Sequence, residues 1–403
     1  MRNMQESREK IISQLNSIVV PLNSVELYSD YDGLDYLGKR TKHAKIVALG
    51  EVTHGSSEIF KMKTKIARYL IETCGFNVFA MEANMPEAYR LNDYVLRGKG
   101  DPKKLLAGMI FWTWNTQEVL DFIKWMRKYN VNHSKKVMFA GFDMQYYSGA
   151  ISELRRICID CKAEYIVKSL NDLEVNLDKR NQVRNYKITH YTKKEWQYFR
   201  KEVYTLREFG NKNIKDPADK TWFLQCVRII EQSITFSRNL KNMDYRDKCM
   251  AENLLWIANN TAGSKIITWA HNWHIQKKGK VMGYYISKQI KQKYMVIGFA
   301  VNIGEYTALH LKTLKLSVYS LRTPPTNSYE YYLHLVGKPL FLLDFKRLNL
   351  NAESGKLFKK KLKFRSLGSV FYPREFYRQS IIGCFDMLVF IEKSSPTKLL
   401  QKH

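Results

Sequence analysis

Two short motifs and two isolated carboxylates in this chain hold the residue types that move protons. Gly50-Glu51-Val52-Thr53-His54-Gly55 sets a carboxylate and an imidazole three residues apart between glycines. Ala270-His271-Asn272-Trp273-His274 adds two imidazoles, and lone carboxylates stand at Glu82 and Asp143. An imidazole titrates near working pH, and a carboxylate beside it can orient it and favour its protonated form. Up to three imidazoles and three carboxylates meeting in one cleft would form the acid/base constellation that water activation needs. Each residue also has a plainer reading. Glu51 and His54 could shape a tight turn and a helix cap. Glu82, within an apolar run, could be half of a structural ion pair. Asp143 could cap the next helix, and one of His271 and His274 could simply pack. The cluster carries more weight than any member.

A metal site is the rival reading. His54, His271 and a carboxylate could give three ligands with an open position. No compact metal-ligand motif is present, so no metal or other cofactor is assigned, and a metal requirement stays open. Other chemistries find no support: G-x-S-x-G, H-E-x-x-H, G-x-G-x-x-G and a P-loop are all absent. Cys158-x-x-Cys161 has no second pair at zinc-ribbon spacing and reads as structural. The basic run between Lys356 and Arg365 reads as a solvated face.

The elements that must position these groups are seven apolar runs, at 44–51, 77–83, 135–143, 264–272, 294–302, 338–345 and 386–392. They are apolar without alternation, as strands buried on both faces of a sheet are. Helical patterns fall between them: Ile59, Phe60, Met62, Ile66 and Leu70 lie on one face, as do Val119, Phe122, Ile123 and Met126. The alternation predicts an α/β fold, a mostly parallel central sheet flanked by helices. Residues 150–260 lack buried strands and predict an inserted helical lobe, with the polar stretch Asp178–Lys220 as a cap. The expected organisation is 1–149 as the first part of the α/β core, 150–260 as the lobe and 261–403 as the second part. Ligand sites in such sheets form beyond the carboxyl ends of strands. Glu51/His54, Glu82, Asp143 and His271/His274 follow or end four separate runs, so they are expected to converge on one cleft.

Composition bounds the rest. The 403 residues are 45% apolar and 26% charged, ordinary for a globular protein. No apolar run is long enough for a membrane helix, so no membrane insertion is expected. The N-terminus does not read as a secretory signal. Six cysteines are too few for a disulfide scaffold, which suggests a reducing cytoplasm. With 66 Lys+Arg against 38 Asp+Glu, the formal charge is +28. That predicts non-specific attraction to phosphate-bearing polymers and names no specific nucleic acid.

The same landmarks resemble the erythromycin esterase family. They are Gly50 to Gly55 with Glu58 and Phe60, Ala80-Met81-Glu82, the Trp114–Asn130 segment and Gly141-Phe142-Asp143. Tyr245-Arg246-Asp247, Ala270 to His274 and the strand at Phe385-Asp386 complete the set, which spans roughly 43 to 397. The resemblance implies a deep cleft between an α/β core and a helical lobe. It also implies hydrolysis of a small-molecule ester, foremost the lactone of a 14-membered macrolide. Some members are labelled succinoglycan biosynthesis proteins, so an acylated saccharide is the alternative ester. A non-enzymatic binder using the basic surface is a third class. Nine residues after the motif histidine the similar esterases carry arginine, where this chain has Lys63. Lysine keeps the charge and loses the planar fork. On this reading His54 is the general base, with Glu51 or Glu82 holding it or the water. His271 and Arg246 would stabilise an oxyanion or product carboxylate, with Asp247 orienting Arg246. Lys63, Asp143 and His274 would complete the binding surface, and Trp112 and Trp114 would contact the substrate.

Overall fold

The computed structural model describes residues 2–179 and 189–400. Eleven strands follow in chain order: β1 (Val20–Pro21), β2 (Ile46–Leu49), β3 (Val78–Asn84), β4 (Met138–Asp143), β5 (Ile266–Trp269), β6 (Tyr294–His310), β7 (Lys315–Ser320), β8 (Leu340–Asp344), β9 (Leu362–Arg365), β10 (Phe376–Gln379) and β11 (Met387–Ser394). Nine form one sheet in the order β1-β8-β11-β6-β2-β5-β3-β4, with β7 paired to β6, and β9 and β10 make a separate ribbon. Neighbours from β11 through β4 run parallel, while β8 and β1 add an antiparallel edge. All seven apolar runs lie in this sheet. Every residue of β2, β3, β5 and β8 is buried, which is why those runs lack alternation. The sheet is mostly parallel and flanked by helices, as the alternation of runs predicts.

Chain order is not sheet order. β5, more than a hundred residues downstream, inserts between β2 and β3. The carboxyl ends of β2, β5, β3 and β4 are therefore consecutive neighbours pointing the same way. Between β4 and β5 the described residues form helices, at Ser148–Asp160, Glu164–Asp178, Lys193–Asn213, Pro217–Ser237 and Met243–Asn260. Part of the polar stretch expected as a cap, 180–188, lies outside the described residues. No helix among the described residues is long and apolar enough to cross a membrane.

Two helices matter most to the site. Ser57–Cys74 starts directly after the first motif, where the Ser56 hydroxyl accepts the Ile59 N–H as an N-cap. It ends at Gly75, whose φ of 71° is the left-handed conformation glycine adopts freely. Met243–Asn260 carries Arg246 and Asp247 at its fourth and fifth positions, and both are buried. The basic run departs from its expectation at one end. Arg365 is fully buried, ion-paired to Glu375 and bonded to the carbonyls of Asn302 and Arg322.

Candidate active site

The sharp turn after β2 is built on close approach. A Cβ on Gly50 would fall 2.0 Å from Asn272 Oδ1, and one on Gly55 would fall 1.9 Å from the Thr307 carbonyl oxygen. With the loop pinned against β6 in this way, Glu51 is wholly buried and His54 reaches the surface of a cleft of about 320 Å³.

His54 Nδ1 lies 2.7 Å from Glu51 Oε1, a short but bent contact. The other oxygen, Oε2, accepts Lys63 Nζ–H at 2.7 Å and Trp269 Nε1–H at 2.7 Å. Burial alone would raise the Glu51 pKa; the Lys63 ammonium and the His54 ring outweigh it and hold the carboxyl below its usual range. Burial in turn pushes Lys63 down to about 8, against the pull of Glu51. At neutral pH the pair is thus charged on both sides. An ionised Glu51 keeps the imidazole proton on Nδ1 and leaves the Nε2 lone pair free.

Lys63 corrects an expectation. It was placed against the substrate, yet its ammonium sits on the far side of Glu51, 4.1 Å from the centre of the Trp269 ring, with no exposed surface. The helix Ser57–Cys74 turns that face inward. Lys63 acts on Glu51, not on a ligand.

β3 contributes Glu82 through a register shift against β4 between Met81 and Asn84. Bulges of this kind re-aim side chains. Glu82 Oε1 accepts Arg246 Nη2–H at 2.7 Å, and Oε2 accepts the His271 backbone N–H at 3.0 Å. Arg246 also grips Asp143 with two nitrogens, at 3.2 and 2.8 Å. Its third nitrogen faces His274 Nε2 at 3.2 Å. Against the desolvation that opposes it, the charges of His274 and Arg246 hold Glu82 well below the usual carboxylate range. Arg246 therefore anchors two carboxylates, and every guanidinium nitrogen is engaged. Asp247 departs from its expected partner. Its Oδ1 lies 2.7 Å from His274 Nδ1 and accepts the Met282 N–H, while Asp143 orients Arg246. Burial disfavours protonation of His274, but Asp247 and Glu82 prevail and raise its pKa.

His271 differs from the other two imidazoles. Its Nδ1 accepts the Trp273 N–H at 3.1 Å and caps the short helix Asn272–Ile275. That bond assigns the proton to Nε2, which has no hydrogen-bond partner. Burial, followed by the neighbouring His54 and His274 charges, pushes its pKa down to about 4. His271 is thus a neutral N–H donor whose ring lies 5.4 Å from that of His54.

His54, Glu82, Asp143, Arg246, His271, His274, Trp112 and Trp114 all line the cleft, whereas Glu51 and Lys63 act from behind it. Residues missed in the sequence complete the walls: Phe111, Gln145, Trp273, and Ser366, Gly368 and Ser369 after β9. Trp269 was also missed, although its place at the end of the β5 run, two residues before His271, was a usable signal. The Ser366–Ser369 loop carries no local pattern. Among the described residues, no group of three His, Cys, Asp or Glu side chains is arranged to hold a metal ion.

YbfO of Bacillus subtilis (strain 168), whose name as a hydrolase is provisional, is 27% identical over 349 residues, covering 77% of this chain and 76% of its own length. The erythromycin esterase type II of Escherichia coli is 22% identical, covering 92% of this chain and 94% of its own. A solved structure named as a succinoglycan biosynthesis protein is 26% identical with a TM-score of 0.80, covering 98% of this chain and 99% of that one. These relationships support hydrolase chemistry. The erythromycin esterase family model matches residues 71–394, most of the length, so the chain belongs to the erythromycin esterase family.

Proposed function

We propose that the protein hydrolyses a carboxylic ester with water activated by His54. The observation that carries this reading is a pairing in the cleft lining: a base held by ionised Glu51 lies beside neutral His271, ring centres 5.4 Å apart, and the His271 Nε2–H has no partner. His54 Nε2 takes a proton from water as the oxygen attacks the ester carbonyl carbon. The carbonyl oxygen gains negative charge and receives the His271 N–H bond, a donor preorganised for charge that develops only in the transition state. Collapse breaks the carbon–oxygen bond to the leaving alkoxide, and the proton on His54 passes to that oxygen. The products are an alcohol and a carboxylic acid, which releases its remaining proton to solvent and leaves as a carboxylate. For a lactone, both stay on one opened chain.

The first substrate reading is the lactone of a 14-membered macrolide. It is supported by the kinship with an erythromycin esterase and by the apolar walls of Phe111, Trp112, Trp114 and Trp273. A second reading, an acylated saccharide, is favoured by the net charge of +28, which repels the cationic amine of an erythromycin-like macrolide, and by the relative named for succinoglycan biosynthesis. A mass-spectrometric screen for products heavier by one water, across macrolides and acylated sugars, tests both. The reading predicts such a product from at least one ester. Absence of hydrolysis across the whole panel by folded protein would overturn it.

A further inference from the structure

The segment Ser395–Leu400, after β11, lies across the gap between two walls of the cleft. On one side the Thr397 N–H donates to the Gly55 carbonyl at 3.0 Å, and the Ser395 carbonyl accepts the Ser57 N–H at 2.9 Å. On the other, the Lys398 carbonyl accepts the Gln117 N–H at 2.8 Å, and the Leu400 N–H donates to the Asn115 carbonyl at 2.9 Å. The segment thus grips the residue after His54 and the residue after Trp114. These two rings meet edge to face, 5.9 Å apart. Glu118 ties the layers together: its Oε1 accepts the Ser57 hydroxyl at 2.6 Å and the Lys398 N–H at 3.1 Å.

The wall that is gripped is not relaxed. Ile110, at its start, has φ 73°, a conformation that a β-branched residue adopts only when its surroundings impose it. Trp112 Nε1 and Asn115 Oδ1 in the same stretch are buried without partners. Strain and unpaired polar groups both favour release of the wall, and the bonds from the segment oppose it.

We propose that Ser395–Leu400, joined through Glu118, is a latch that fixes the tryptophan wall at its working distance from His54. Its role in turnover rests on the esterase reading; its mechanical coupling does not. Glu118 and the segment are positioning residues, acting through Gly55 and Asn115 and touching no substrate.

The test is hydrogen exchange on the intact protein. In the wild type, the amides of Thr397, Lys398 and Leu400 should open together with those of the wall from Phe111 to Gln117, as one cooperative unit. Glu118→Ala should speed exchange in both stretches by about tenfold or more, the scale of losing two buried hydrogen bonds. Glu118→Gln keeps the Oε1 acceptor for both donors and gives up the longer 3.3 Å contact of Oε2 with the Lys398 N–H, so it should restore most of the wild-type protection in both stretches. On any ester the enzyme hydrolyses, Glu118→Ala should raise KM several-fold with kcat changed much less, since the wall contacts substrate and the base is retained. Faster exchange confined to 395–400, with the wall unchanged, overturns the latch, as does independent opening of the two stretches in the wild type. Coupled exchange with no ester turned over leaves the latch standing and removes the esterase reading alone.

Discussion

At the scale of single residues, the site is three imidazoles given three states by their neighbours. His54 is held by a carboxylate, His274 is raised by two, and His271 is buried as a neutral donor. His54→Ala should lower kcat on the order of 10²–10⁴-fold, because no other imidazole is free to take the proton. Its thermal midpoint should stay near wild type, and near-normal turnover by a folded variant would remove His54 from the base role. Lys63 makes a different prediction. Lys63→Met would strand Glu51 buried without its cation, a change costing about 3–5 kcal/mol. Denaturant unfolding should show that loss together with a fall in kcat. Lys63→Arg, which keeps the cation, should keep most of the stability. Because Lys63 touches no ligand, its effect on kcat should be the same for every ester; an effect confined to macrolides would place the side chain in the cleft after all. His271 gives a pH dependence. Its pKa falls from about 6.5 in the unfolded chain to about 4 in the fold, so folding excludes a proton between those values. The associated stability, about 3 kcal/mol, is complete above pH 6.5 and is lost as pH falls toward 4. His271→Asn keeps a good helix cap and should flatten that acid limb of the thermal midpoint. An equally steep limb in the variant would assign the acid sensitivity elsewhere.

At the scale of elements, the sequence was legible wherever burial writes a pattern. Each of the seven apolar runs is a strand, because strands covered on both faces have no polar side to reveal. The helices at Ser57–Cys74 and Gln117–Asn132 were visible from their apolar faces. The chemistry at four strand ends could be read for the same reason, since a polar residue ending an apolar run stands out. What could not be read is long-range: β5 slotting between β2 and β3, the Ser366–Ser369 wall, and the latch. None of these has a local signature, because each depends on which distant segment arrives. Lys63 and Asp247 show the limit most clearly. Sequence supplied their charges, but helix rotation decided that one faces Glu51 and the other His274. Gly55 tests how tightly an element holds the site. Gly55→Ala forces a methyl into the Thr307 backbone, so either the loop or β6 must shift. Overpacking of this kind costs about 1–3 kcal/mol. Because His54 is the adjacent residue, kcat should fall more than stability alone explains. A variant with lowered stability and unchanged kcat would show that the loop moves as a rigid body.

At the scale of the whole molecule, the net charge of +28 and the slight negative excess of the cleft pull in different directions. Glu51 is offset by Lys63, while Arg246 offsets one charge of the Glu82–Asp143 pair, so the site carries only a small negative excess and does little to invert the field outside it. A substrate approaching from solvent therefore meets a positive potential, and salt screens it over a Debye length of about 10 Å at 0.1 M. The two substrate readings differ in sign under this field. A macrolide carrying a protonated amine is repelled, so its kcat/KM should rise several-fold as ionic strength goes from about 0.02 to about 0.3 M. A saccharide bearing a succinyl-type carboxylate is attracted, so its kcat/KM should fall over the same range. The effect should reside mainly in KM, because the field acts on encounter and binding, whereas the proposed roles of His54 and His271 concern the bond being broken. Neutral esters of similar size provide the baseline and should change little. The substrate the enzyme was shaped to use should also have the highest kcat/KM near physiological salt. A fast macrolide reaction insensitive to salt would show that the surface field does not reach the cleft, and would remove the charge argument for the saccharide. A fast anionic reaction that slows with salt would make the basic surface part of substrate capture.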